Sequence, residues 1–240
     1  MKRKFLFIIF ILFISLNSYA FKFSPMSTSI GVKLKENSTL FYLENDSDQP
    51  IAVNATLLKR SMNKEGIETN EKVDDELTLY PSQLIIPAGE KRSIKVTWVG
   101  KTIPQTELAY RLVTEQLPID IEKNKKKNAS IKVLLRYVAA LYVLPEEFSP
   151  NITLKKLDVD EKNITFTIAN SGKKHQVLSN LELKISGSGK KIIELKSDEL
   201  KTMSGENILA ESERVFRFPK NGKFIEIQPL DKVKISFEKD

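Results

Sequence analysis

The chain has 240 residues, 29% of them charged, a formal net charge of +7 and no cysteine. Without cysteine it has no disulfide staple and no thiolate zinc site, so its stability must come from a buried core, which a chain of this length can build. Three of the positive charges stand at Lys2, Arg3 and Lys4, and the other lysines are scattered without interleaved aromatics, which argues against nucleic-acid binding.

The first twenty residues read as a secretory signal peptide. A basic start precedes the apolar run Phe5–Ile14, and Ser18-Tyr19-Ala20 is a small-x-small cleavage site. An uncleaved anchor is the alternative, but the run is short for a spanning helix. The mature chain is expected to begin near Phe21, without stable membrane insertion.

After Ala20, helical periodicity gives way to short alternating stretches split by turns. Ser38–Asn45 and Ile51–Arg60 flank the turn "DSDQP". Leu77–Tyr80 leads through Pro81 into Gln83–Val99, which the turn Pro87-Ala88-Gly89-Glu90 divides into two strands. Glu107–Ile119 and the apolar stretch Ser130–Pro145 complete a first set. The segment Leu144–Asn151, with two prolines and an acidic pair, reads as a linker. Beyond it come "ITLKKLDV", "NITFTIAN", "QVLSNLELKIS", "KKIIEL", "RVFRF" and "KVKISFE", with a hairpin turn at Ser186–Lys190. Such spacing predicts an all-β chain of two unequal sandwiches, 21–145 and 146–240. Phe23, Phe41, Leu43, Val53, Leu84, Ile86 and Trp98 are the expected core of the first.

Catalytic chemistry is missing from this pattern. The lone histidine, His175, stands in a turn-like stretch and reads as a surface residue. No G-x-S-x-G element and no phosphate-binding glycine loop occur. Asp74-Asp75-Glu76 reads as a solvated acidic turn, because neighbours on a strand point to opposite faces. The expectation is a binding protein, not an enzyme, with no cofactor and no metal.

Several stretches, in order, resemble the periplasmic chaperones of chaperone–usher pilus assembly. They are "FSPMSTSI", "FYLENDSDQPIAVNATLLKR", "LYPSQLIIPAGEKRSIKVTW", "AYRLVTEQLPI", "IKVLLRYVAALYVLP" and "IANSGKKHQVLSNLEL". The Tyr-Arg-Leu and Arg-Tyr elements look closest to the archaic, alternative branch. The resemblance implies two immunoglobulin-like sandwiches in a boomerang arrangement and a periplasmic location. It also implies pilus or fimbrial subunits and an outer-membrane usher as partners. Such chaperones cap an incomplete subunit by donor-strand complementation, lending it a strand. A secreted or surface-attached β-sandwich adhesin or structural subunit is the other reading of a signal peptide before two sandwiches.

On the resemblance, the lent strand is Ser130–Pro145. Ile131, Val133, Leu135 and Tyr137 share one apolar face, and Lys132 and Arg136 lie on the other. That face either enters a subunit groove or fills this domain's own core; the resemblance favours the groove. The preceding tract Glu122–Asn128 either lengthens the strand or keeps it soluble. Family members also anchor the subunit's terminal carboxylate with two basic residues, and the matching positions here are Ser27 and Ala140. Arg111 and Arg136 stand as replacements, since arginine binds carboxylates bidentately. Pairing with Glu115 or another sheet carboxylate is their other use.

Overall fold

The computed structural model describes residues 21–73, 75–118, 133–186, 192–228 and 232–237. The leader, Asp74, the tract Glu122–Asn128, Ile131, Lys132 and the Ser186–Lys190 turn beyond Ser186 lie outside the described residues.

Ten strands build the first sandwich: β1 (Phe21–Ser24), β2 (Ser27–Ile30), β3 (Ser38–Asn45), β4 (Ile51–Met62), β5 (Glu68–Lys72), β6 (Leu77–Tyr80), β7 (Gln83–Ile86), β8 (Lys91–Trp98), β9 (Leu108–Leu117) and β10 (Arg136–Val143). One sheet runs β1-β3-β8-β6. The other runs β2-β10-β9-β4-β5, with β7 also on β4. These are the A-B-E-D and G-F-C sheets of an immunoglobulin-like sandwich. The first strand is shared between them, because the chain changes sheets at Ser24-Pro25-Met26. Alternation decides what is buried. Phe41 and Leu43 of β3, and Ile94, Val96 and Trp98 of β8, face Val53, Leu112 and Leu141 from the other sheet. All the expected core residues belong to this cluster, Leu84 as a partly buried one.

The second sandwich has its own core, with Phe166, Ile168, Leu183, Ile185 and Phe216 at its centre. Its strands are β11 (Ile152–Val159), β12 (Asn163–Asn170), β13 (Gln176–Val177), β14 (Leu181–Ser186), β15 (Ile192–Leu195), β16 (Asn207–Ile208), β17 (Ser212–Pro219) and β18 (Lys232–Phe237). They pair as β11-β12-β17, β13-β16 and β15-β14-β18. The stretch "QVLSNLELKIS" is two strands, broken where Asn180 takes φ 53°, a left-handed conformation that asparagine tolerates.

Two strands escape the sequence pattern. β5 reads "ETNEK", polar throughout, and is a strand only because its backbone pairs with β4 from Leu58↔Lys72 to Met62↔Glu68. β16 has two residues and pairs with β13.

Each sandwich pins its first long turn with a buried asparagine. Asn45 donates to the carbonyls of Gln49, Ile86 and Pro87 at 2.8–3.1 Å, while its Oδ1 accepts from Ser47. Asn170 donates to Lys174 and Leu209 at 2.7 and 3.0 Å and accepts from the N–H groups of Asn151 and Gly172. The strand–Asn–turn pattern in the sequence is thus a hydrogen-bonding device.

The sandwiches meet as the arms of a boomerang, and His175 sits in the joint. This corrects its reading as a surface residue. Its side chain is 16% exposed, its ring stacks on Tyr142 at 3.7 Å, and its Nδ1 lies 2.7 Å from Oε1 of Glu107. The backbone N–H of His175 donates to the same oxygen. A second tie joins the β4–β5 hairpin tip to β17. There the Val215 N–H donates to the Lys64 carbonyl at 2.8 Å, and Lys64 pairs with Glu213 at 3.0 Å.

Candidate functional site

β10 lies second from the edge of its sheet, and only half of it is covered. β9 pairs with it along its whole length, Arg136↔Glu115 to Val143↔Leu108. On the other side, β2 pairs only with Ala140–Val143. The Ala140 N–H donates outward, to Met26, whereas the Leu135 carbonyl accepts inward, from Gln116 of β9. Strand backbone groups alternate sides. The N–H and C=O groups of Leu134, Arg136 and Val138 therefore point outward, where no strand pairs with them among the described residues. An unpaired edge is a template for another chain.

The apolar face of this segment is divided. Val133 is 73% exposed. Leu135 and Tyr137 pack on the first sandwich's own core. Tyr137 meets Phe21 edge-on at 4.8 Å and donates its hydroxyl hydrogen to the Phe21 carbonyl. Leu134, on the opposite face, is 45% exposed.

The outer face of the same sheet carries the arginines. Ser27, Ala140, Arg111 and Leu58 stand side by side in register across β2, β10, β9 and β4. Arg111 is thus the immediate neighbour of Ala140, one of the two positions where the resemblance expects a cation. Its guanidinium grips Glu68 with Nε–Oε2 at 3.0 Å and Nη2–Oε1 at 2.5 Å. Arg60, buried at 3% side-chain exposure, reaches the same carboxylate at 2.6 Å. Arg60 also donates to the Tyr142 hydroxyl, which Asn207 of the second sandwich approaches at 2.8 Å. This face therefore looks toward the second arm. Arg136 lies on it too, exposed and paired with Glu115 at 2.7 Å. It stands four residues from Ala140 along the strand, roughly 13 Å.

Electrostatics tie the cluster together. Burial alone would raise the Glu68 pKa. The Arg111 hydrogen bond and the charges of Arg60 and Arg111 outweigh it, so the carboxyl titrates below its ordinary range. Below the sheet, burial and then the hydrogen bond to Glu76 push the Tyr110 hydroxyl above its usual range. Glu76 is thus a buttress for Tyr110, not part of a free acidic turn.

Sequence reasoning passed over Arg60, Glu68 and Tyr142. Arg60 carried one signal: it shares its parity on β4 with Asn54 and Thr56, opposite the apolar Val53, Ala55 and Leu57. Glu68 carried none, because β5 has no alternation.

Known proteins place this arrangement. A CFA/I fimbrial protein of Escherichia coli is 29% identical over 111 residues, 45% of this chain; the match spans 40% of that relative's length. The class 5 fimbriae chaperone CfaA shares the fold at a TM-score of 0.58 and 21% identity, over 91% of this chain and 100% of that one. A chain of the CsuC–CsuE chaperone–tip adhesion subunit pre-assembly complex, from the archaic chaperone-usher Csu pili of Acinetobacter baumannii, does so at 0.54 and 16%, over 82% and 89%. At these identities the two structures speak to fold alone. The sequence pattern of the pili and flagellar-assembly chaperone, PapD N-terminal domain, matches residues 22–149. With more than half of its length in that match, the chain belongs to the pili and flagellar-assembly chaperones.

Proposed function

We propose that this chaperone works in the periplasm, holds pilus or fimbrial subunits by lending them the β10 segment, and passes them to an outer-membrane usher. The observation that carries this is the half-covered strand: a free edge from Leu134 to Val138, with Val133 exposed beside it. A subunit strand laid there gains main-chain hydrogen bonds, each worth about 0.5–1.5 kcal/mol net. Val133, and on this reading Ile131 before it, fill pockets of the subunit. Leu135 and Tyr137 join the two cores, since they already pack on the chaperone's own. Arg111 is the leading anchor for the subunit's terminal carboxylate. Arg136 is too exposed and too far along the strand to share that duty. Export is supported by the leader, and no helix among the described residues is long and apolar enough to cross a membrane. The division at Leu144–Asn151 follows from the two separate cores.

The test is co-expression with the subunit encoded beside the chaperone, followed by amide hydrogen exchange. A one-to-one soluble complex is expected, with the Arg136 and Val138 amides protected only when the subunit is present. Protection elsewhere, with these two amides still exchanging freely, would refute strand lending at β10.

A further inference from the structure

Arg60 and Arg111 share one carboxylate. We infer that Glu68 is an internal stand-in for the subunit's terminal carboxylate, holding the arginine pair in the free chaperone and yielding the Arg111 fork when a subunit docks. This rests on the reading of the chain as a subunit chaperone.

Four features carry it. The first is geometry. Glu68 takes the Nε/Nη2 edge of Arg111, the edge that binds a carboxylate with two parallel hydrogen bonds. An incoming carboxylate that uses this edge must displace it.

The second is charge. Two guanidinium groups face one carboxylate, which leaves room for one more monoanion. The other cations near this face are already matched: Arg136 by Glu115, Arg214 by Glu206 and Lys64 by Glu213. Lys72 stands out in solvent at the end of β5. Arg60 cannot leave, because it is buried and tied to Tyr142. A buried charge stripped of its partner is costly, so Arg60 needs an anion in both states.

The third is place. A strand pairing along the open edge of β10 runs into β2 at Ala140, where β2 already occupies the edge. The visiting chain must stop there. If it runs parallel to β10, its terminal carboxylate comes to rest one row from Arg111. Ser27 and Ala140, both small, leave that approach clear.

The fourth is freedom to move. Glu68 opens the polar edge strand β5 and is 24% exposed, against 3% for Arg60. Its side chain can swing outward without opening the core.

The test uses a synthetic strand peptide of about ten alternating valines and threonines, solubilised by N-terminal lysines. It is prepared with a free C-terminal carboxylate and, separately, as the amide. Affinities are measured for the wild-type chain, Glu68→Gln, Glu68→Asp and Arg111→Gln, with thermal melts to confirm folding. Wild type should prefer the acid. Glu68→Gln should raise the acid-to-amide ratio by about fivefold or more, the scale of one carboxylate–arginine contact near a surface. Glu68→Asp, too short to span both arginines, should fall between, and Arg111→Gln should bring the ratio to one. A ratio that falls or stays level in Glu68→Gln makes Glu68 a scaffold and overturns the stand-in role. A wild type that binds acid and amide alike overturns the arginine anchor and the stand-in together, and leaves strand lending intact. If neither peptide binds, strand lending at β10 fails, and the inference falls with it.

Discussion

Replacing Val133 with glutamate separates folding from capping. At 73% exposure the Val133 side chain contributes little to the chaperone's own core. Surface changes of this kind stay within about 0.5 kcal/mol, so the melting temperature should move by no more than about 2–3 °C. In a subunit groove the balance reverses. A valine that becomes fully buried gains about 1.5 kcal/mol or more, and glutamate forfeits that gain. The charge must then be neutralised or kept wet, which costs a few kcal/mol more. Together these exceed about 4 kcal/mol, or roughly a thousandfold in affinity. The assay is tag pull-down of the co-expressed subunit, with calorimetry where the complex can be reassembled. The expected result is a folded chaperone that no longer retains its subunit. If Val133→Glu still holds the subunit within tenfold of wild type, Val133 does not enter a groove. Tyr137→Ala is the matched control. Tyr137 packs on Phe21 and Phe23, so its loss should lower stability by about 3 kcal/mol whether or not a subunit is present.

Other outcomes follow from the joint and the cluster. Glu68 has a folded-state pKa below its ordinary value. Its contribution to stability is therefore present above the normal glutamate range and is lost as pH falls through the folded pKa. Chemical denaturation should show Glu68→Gln less stable than wild type at pH 7, with the gap closing between about pH 5 and pH 3; a gap that widens on acidification would contradict the arginine pairing. Tyr142→Phe keeps the stacking on His175 but takes the hydroxyl from Arg60 and Asn207. A loss of about 1–3 kcal/mol is expected in urea melts, and a neutral result would mean that water replaces the hydroxyl. Asn170→Ala unpins the first long turn of the second sandwich, leaving Lys174, Leu209, Asn151 and Gly172 short of a partner. It should cost at least about 2 kcal/mol, with hydrogen exchange rising first around 171–175.

The strands that bury a face were readable because burial imposes a period of two. "STLFYLEN" and "LTLY" show it, and the structure gives Ser38–Asn45 and Leu77–Tyr80. "ETNEK" was not readable, because an edge strand exposed along most of its length imposes no pattern; pairing with β4 alone makes it a strand. That is why Glu68 stayed hidden, and with it the meaning of Arg60 and Arg111. His175 misled for a related reason. Its neighbours are polar, and what covers it comes from Glu107 and Tyr142, far away in the chain.

The sequence by itself determined an all-β chain, two cores without disulfides, the turn asparagines and a long apolar strand with its alternation. These are local matters, fixed by periodicity and turn chemistry. Tertiary structure decided which half of β10 has an open edge, because that depends on where β2 stops. It also decided that Val133 faces solvent while Tyr137 closes a core, and that two arginines from different strands share one carboxylate. Such facts depend on which strands become neighbours, and backbone pairing across long separations carries no signature in the residues it joins.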